Sequence, residues 1–202
     1  MKNTILDIFH RRYACHAFLP DRVIARTDLD IVLEAGRLSP SSFGLEQWKF
    51  VAVSKTTEKM ALQAACFNQP QVGSASVVVV ILAKTAELNP DSEYIARLMA
   101  REYPGRALAP ALANYRAFHA ATDVKAWSIA QCHIAAANMM TAAATLGLDT
   151  CAIGGFDPAA IKTLLGINSD RYEIALILPI GYCADLAPEK QRLPLSELVE
   201  YR

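Results

Sequence analysis

The chain is poor in charge and has no excess of either sign. Among 202 residues there are 20 basic and 20 acidic side chains, and the formal net charge is +0. A disordered chain combines low hydrophobicity with high net charge, whereas this one is 53% hydrophobic. A nucleic-acid binder or a protein held on an anionic membrane needs a cationic face, which a pI near 6.9 does not suggest. Cysteine is sparse as well. Cys15, Cys66, Cys132, Cys151 and Cys183 are odd in number, widely spaced and never in a CxxC or CxxxC pair. That excludes a zinc ribbon or thioredoxin-type site and predicts reduced, mostly buried thiols in a cytoplasmic protein.

Several chemical signatures are missing. There is no Gly-x-Ser-x-Gly, no His-Glu-x-x-His, no phosphate-binding glycine loop followed by Lys-Ser/Thr, and no Gly-x-Gly-x-x-Gly dinucleotide fingerprint. His10, His16, His119 and His133 show no metal-ligand spacing. The N-terminus carries no long apolar run or small-residue cleavage site, so no secretory signal is expected. Ala126 to Leu148 is free of charge and long enough to cross a bilayer. Its alanine content, its Ser128, Gln131, His133, Asn138, Thr141 and Thr145, and flanks of Lys125 and Asp149 that give no positive-inside signature predict instead a helix buried on most sides or at a subunit interface.

What is present is a chain long enough for one domain, 1–202, that buries ~70% of its unfolded surface. A mean hydropathy of +0.20 is high for a monomer of this size and points to apolar surface covered by another chain. Thr4 to Arg12 predicts a short amphipathic helix with Ile5, Ile8 and Phe9 inward. Thr27 followed by Asp30 predicts a capped helix that ends before Pro40, leaving Ser39 to Gly44 as a loop. Trp48 to Ser54 alternates as a strand, Thr57 to Cys66 is a helix, and Ser76 to Leu82 is a β-branched run of a strand covered on both faces. Asn89 to Ala121 predicts helical pieces broken at Pro104-Gly105 and Pro110, followed by a long helix to Leu146 capped by Gly147. A short strand at Cys151 to Ile153, a helix opened by Asp157-Pro158 and stopped at Gly166, and a strand from Tyr172 to Ile180 complete an α+β layered domain.

The candidate functional residues are basic and small polar groups at the ends of these elements. Arg11-Arg12 closes the first helix, Ser41-Ser42 sits in a proline-fixed loop, and Asn68 ends a helix before Pro70. Gly154-Gly155 follows a strand where free N–H groups can meet an anion or a ring acceptor, and Lys190-x-Arg192 lies near the C-terminus. Taken singly, each is equally a solvated charge, a turn or a helix cap.

Taken together and in order they are more specific. The segments Arg12-Tyr13-Ala14-Cys15-His16-Ala17-Phe18 and Ser39 to Phe50 resemble the two N-terminal motifs of the FMN-dependent nitroreductase family. Phe67 to Gln71, Ala75 to Thr85, Leu146 to Asp157, Pro179 to Tyr182 and Lys190 to Pro194 are similar to the family's later blocks, close to its oxygen-insensitive NAD(P)H nitroreductase branch. Only a helical arm at about 87–122 stays unmatched.

The resemblance implies a nitroreductase-like α/β sandwich with a central, mostly antiparallel sheet and long buried helices. It implies an intertwined homodimer with two FMN sites built from both chains. Arg12, Lys190 and Arg192 are then expected at the FMN phosphate, with Pro40, Ser41 and Ser42 reaching the flavin from the partner chain. Asn68 is expected on the isoalloxazine edge, and the backbone of Gly154 and Gly155 near N5 and O4. Arg11, Tyr13, Ala14, His16, Gly44, Gln71 and Ile153 complete the implied contact set. The implied chemistry is ping-pong: NADH or NADPH reduces the flavin, and a nitroaromatic or quinone acceptor reoxidises it. No catalytic side chain and no metal is required.

Other chemistries implied for the same fold are flavin storage with little turnover, flavin fragmentation, dehalogenation and azoline dehydrogenation. Four positions depart from close relatives. His16 and Gln71 stand where Lys or Arg is usual, Ala14 replaces a Ser, and Gly154 replaces a Glu seen in some relatives. The first two remove fixed positive charge near the flavin N1 and O2, because a histidine is cationic only when protonated.

Overall fold

A computed structural model describes residues 2–202, with side chains from Ile5 onward. Four strands form one antiparallel sheet in the order β1-β2-β4-β3: β1 Trp48–Val53, β2 Val77–Lys84, β3 Asp149–Thr150 and β4 Tyr172–Gly181. β2 lies inside the sheet and every residue from Val77 to Ala83 is buried. Its β-branched side chains alternate between two cores, as the pleat requires. Val77, Val79, Ile81 and Ala83 face one core, and Val78, Val80 and Leu82 face the other.

The first core is closed by α2 (Arg26–Arg37) and α7 (Val124–Thr145). α7 buries Ser128, Cys132, Ala135, Ala136, Met139, Ala143 and Ala144, a stripe at helical spacing. Its small side chains let it lie close to the sheet and to α2. At Gly36 an added Cβ would stand 2.9 Å from the Met139 side chain and 2.9 Å from Phe50. The second core is closed by α3 (Thr56–Ala65), α4 (Pro70–Ser74) and α8 (Pro158–Leu164). Asp157 caps α8 by accepting from the N–H groups of Ala159 and Ala160, and Gly147 takes φ +78° after α7, both as expected.

A third, smaller core belongs to the arm. α5 (Glu93–Glu102) and α6 (Leu108–Ala121) enclose Leu88, Ile95, Leu98, Met99 and Tyr115 together with Leu45. The chain breaks at Pro104-Gly105, but Pro110 does not interrupt it. That proline occupies the first turn of α6, where its missing N–H has no intrahelical partner to lose.

Several local expectations are corrected. Ala25, not Thr27, precedes α2 at the cap position, and no side chain caps it. Asp30 instead accepts from Arg26 Nε at 2.7 Å, one helical turn away. The strand expected at Cys151 to Ile153 falls at β3, with Ile153 reduced to a single bridge opposite Ile177. In α1 (Lys2–Arg11), Ile5, Leu6 and Phe9 are 46%, 58% and 47% exposed and Ile8 is half-buried, so of the three residues expected inward only Ile8 is partly covered in the isolated chain. α9 (Leu195–Leu198) adds Leu195 and Leu198 to the exposed apolar surface. No helix among the described residues is long and apolar enough to cross a membrane.

Candidate functional site

Two distant segments meet to form a large concavity. Residues 12–16 leave α1, pair Ala14 with Thr150 of β3, and donate from Cys15 N to the Thr150 carbonyl at 3.1 Å. The chain leaving β4 returns beside them: Leu19 N donates to the Tyr182 carbonyl and Ala184 N to the Ala17 carbonyl, each at 2.8 Å. Between the two segments lies a cleft of about 830 Å³, walled by Arg12, Tyr13, Ala14 and His16 on one side. The other wall comprises Asp185, Leu186, Pro188, Glu189, Lys190, Gln191 and Arg192. Tyr13 Oη donates to the Asp185 carbonyl at 2.8 Å and Lys190 Nζ donates to the Arg12 carbonyl, so the walls are tied at two points.

The electrostatics of this cleft are lopsided. Loss of water pushes the Lys190 ammonium below the ordinary lysine value, and the charges of Arg12 and Arg192 push it further down. Among the described residues none of these three cations is held in an ion pair. Three mutually repelling cations with unspent donors at one cleft fit a multiply charged anion such as a phosphate monoester. Asp185 and Glu189 on the same rim temper the field without pairing with the cations.

A second group of expected residues adjoins the first. Thr150 leads into Cys151, and Gln71 Nε2 lies 3.9 Å from Cys151 Sγ. Gln71 is only 4% exposed and donates to Gln69 Oε1 at 3.2 Å, while Gln69 Nε2 donates to the Gly155 carbonyl at 2.8 Å. Phe67 and Asn68 take left-handed conformations, φ 55° and 58°, and both side chains are exposed. The 67–71 turn and the 153–155 segment are thus joined, with Ile153 buried beneath and Gly154 and Gly155 exposed. Nothing lies within 4 Å of a Cβ placed on Gly154, which leaves its backbone approachable.

The remaining residues stand elsewhere. Pro40, Ser41, Ser42 and Gly44 form a hydrogen-bonded turn packed on α7 and the arm, outside the cleft. Ser42 N donates to Gln131 Oε1 at 2.9 Å, Ser41 Oγ accepts from Glu46 N at 3.0 Å, and Arg101 Nη2 donates to the Gly44 carbonyl at 3.0 Å. Phe43 adopts φ 57° and sets its ring 5.3 Å from that of Tyr115 and 5.4 Å from Phe118. Arg11 is exposed near Gly147 and does not line the cleft.

The sequence reading missed Asp185, Leu186, Pro188, Glu189 and Gln191 as cleft walls, since the segment has no helical or strand period to place it. It also missed the fate of two cysteines. Cys15 and Cys183 form a disulfide with Cα atoms 5.8 Å apart, which corrects the expectation of five reduced thiols. Cys66, Cys132 and Cys151 are free and buried.

Fold and cleft define an α+β protein with a cation-lined seam between its N-terminal loop and C-terminal segment. The chain belongs to the nitroreductase family, whose model matches residues 10–182. A Staphylococcus haemolyticus protein that carries an NAD(P)H nitroreductase name is 32% identical over 216 residues, covering 100% of this chain and 98% of that one. A nitroreductase-like protein from Streptococcus mutans superposes with a TM-score of 0.88 at 22% identity, covering 100% and 99% of the two chains. An Exiguobacterium sibiricum protein of nitroreductase title, solved in complex with FMN, superposes with a TM-score of 0.84 at 22% identity over 98% and 97%. These likenesses establish the fold.

Proposed function

We propose that the protein is an FMN-dependent NAD(P)H oxidoreductase of the nitroreductase and quinone reductase type. The observation that carries this reading is the convergence of Arg12, Lys190 and Arg192 on one cleft, with Lys190 pushed down by loss of water and then by its cationic neighbours. The planar guanidinium of Arg12 and the two cations of the C-terminal wall hold the phosphate of FMN. Bound there, FMN supplies a ring that takes hydride from NADH or NADPH and passes electrons to a nitroaromatic or quinone.

This chain's own residues orient and partition. Asn68 and the open backbone of Gly154 and Gly155 take the polar edge of the ring, and buried Gln71 steadies the turn that carries Asn68 through Gln69. Ala14 and His16 line the passage between phosphate and ring. The Pro40–Gly44 turn serves the site of a second copy of the chain, in an intertwined homodimer, which accounts for its place outside the cleft of its own chain. Exposed Ile5, Leu6 and Phe9 on α1, Ile31 and Leu38 on α2 and its edge, and Ile134 on α7 support such a partner, since this much apolar side chain is rarely left to water.

The test is anaerobic reduction of the FMN-loaded protein. NADH or NADPH bleaches the flavin absorbance, and nitrofurazone or menadione then restores it within the same cuvette. A loaded protein that neither nicotinamide bleaches contradicts the reading.

A further inference from the structure

The disulfide occupies a mechanically sensitive position. Cys15 sits between Ala14 and His16 on one wall of the cleft, and Cys183 is where the chain turns from β4 toward the other wall. Beyond Cys183 the second wall is tied to the rest of the described chain by few hydrogen bonds: the Ala184 N–H to Ala17, Tyr13 to the Asp185 carbonyl, and Lys190 to the Arg12 carbonyl. Its apolar side chains add little, with Leu186 95% and Leu193 60% exposed. The covalent link is therefore the firmest attachment of the segment that carries Lys190 and Arg192.

The two sulfurs differ in access. Cys15 is fully buried, whereas Cys183 is partly exposed, so an incoming thiolate reaches the Cys183 sulfur and expels Cys15. The other cysteines do not compete. Burial pushes the Cys66 thiol up to about 11, the Cys132 thiol up to about 12, and the Cys151 thiol up as well.

We propose that Cys15–Cys183 is a thiol–disulfide exchange site for small thiols, and that its state sets how well the cleft grips a phosphate-bearing ligand. This rests on the reading of the cleft as the FMN phosphate site. In the exchange, one thiolate attacks Cys183 Sγ, forming a mixed disulfide and releasing Cys15 as a thiolate that takes a proton from solvent. A second thiol displaces Cys183, giving two protein thiols and one small-molecule disulfide. A dithiol such as dithiothreitol performs both steps and leaves as its cyclic disulfide. With the link open, the segment samples detached conformations, and the apparent affinity falls by the fraction that stays docked.

The experiment compares the full-length protein oxidised and after dithiothreitol, titrated with FMN and with riboflavin, which lacks the phosphate. Thiol titration after unfolding counts three thiols in the oxidised form, matching the three free cysteines, and five in the reduced form. Reduction lowers the preference for FMN over riboflavin about tenfold, the loss expected if about one molecule in ten keeps the segment docked. Cys183→Ser shows the same low preference with or without dithiothreitol, and reoxidation restores the wild type only. A preference unchanged by reduction, an equal loss for both ligands, or a thiol count that native-state dithiothreitol does not raise overturns the proposal. Arg192→Ala separates this from failure of the phosphate reading. If it lowers the FMN preference while reduction does not, only the exchange site falls; if it leaves the preference intact, the phosphate reading falls.

Discussion

Lys190 Nζ donates to the backbone carbonyl of Arg12 across 178 residues of sequence. One side chain therefore ties the C-terminal wall to the N-terminal loop and adds its charge to the cleft. Lys190→Ala removes both contributions. A charge-assisted contact is worth ~1.5–3 kcal/mol, which translates to FMN binding about ten- to hundredfold weaker. Fluorescence titration measures this, with riboflavin as the control. Equal weakening of both ligands would place Lys190 away from the phosphate.

Gly36 is a packing glycine. Its α2 position brings an added Cβ within 2.9 Å of Met139 and of Phe50, both part of a filled core. Gly36→Ala overpacks the α2–α7 contact and costs ~1–3 kcal/mol, read as a lowered denaturant midpoint. A midpoint at or above that of the wild type would show that the two side chains yield freely.

In the proposed homodimer, the two faces of α7 separate folding from assembly. Met139 is fully buried within the chain, so Met139→Lys buries an unpaired charge and destabilises the fold by several kcal/mol. Ile134 is 39% exposed on the other side. Ile134→Lys keeps the far-ultraviolet spectrum of the wild type but weakens self-association by at least about tenfold, or ~1.4 kcal/mol, in light scattering across dilution. A wild type that scatters as a 22.0 kDa monomer at micromolar concentration contradicts the dimer.

Lys84 makes stability depend on pH. Burial pushes its ammonium down to about 8 from 10.5, with Arg97 adding and Glu46, Glu87 and Cys132 opposing. Its Nζ donates to the Glu46 carbonyl and to Tyr94 Oη, each at 2.7 Å. Below pH 8 the lysine is protonated in both the folded and unfolded chain, and the full cost of burying its charge is present. Between about 8 and 10.5 the folded chain has released the proton while the unfolded chain retains it, so stability rises with pH over that window. Relative to Lys84→Met, which cannot titrate, the wild type gains stability as pH increases through this range. Denaturant curves at several pH values measure it, and a constant difference between the two proteins refutes the shift.

Much of the fold is written locally. The unbroken run Val77 to Leu82 specifies a strand with two covered faces, and Asp157-Pro158 and Gly147 mark helix ends by chemistry that acts within a few residues. The misreadings arise where a competing or distant contact decides. Asp30 has the sequence spacing of a capping residue and an Arg one turn away, and the Arg wins. Cys15 and Cys183 are 168 residues apart, and nothing near either predicts their meeting. The wall from Asp185 to Arg192 has no periodicity, so only Lys190 and Arg192 could be singled out, and their phosphate role only through family resemblance. Ile5 and Phe9 have the pattern of an inward face, yet the chain alone offers them no cover.

The most direct measurement compares FMN and riboflavin binding to the wild type and to Arg192→Ala under oxidising conditions. Arg192 lines the cleft and, among the described residues, donates only to the neighbouring Gln191 carbonyl, so its removal disturbs little else. The phosphate site predicts FMN binding weakened about ten- to hundredfold with riboflavin nearly unaffected. Equal losses for the two flavins, or no loss for either, would contradict it.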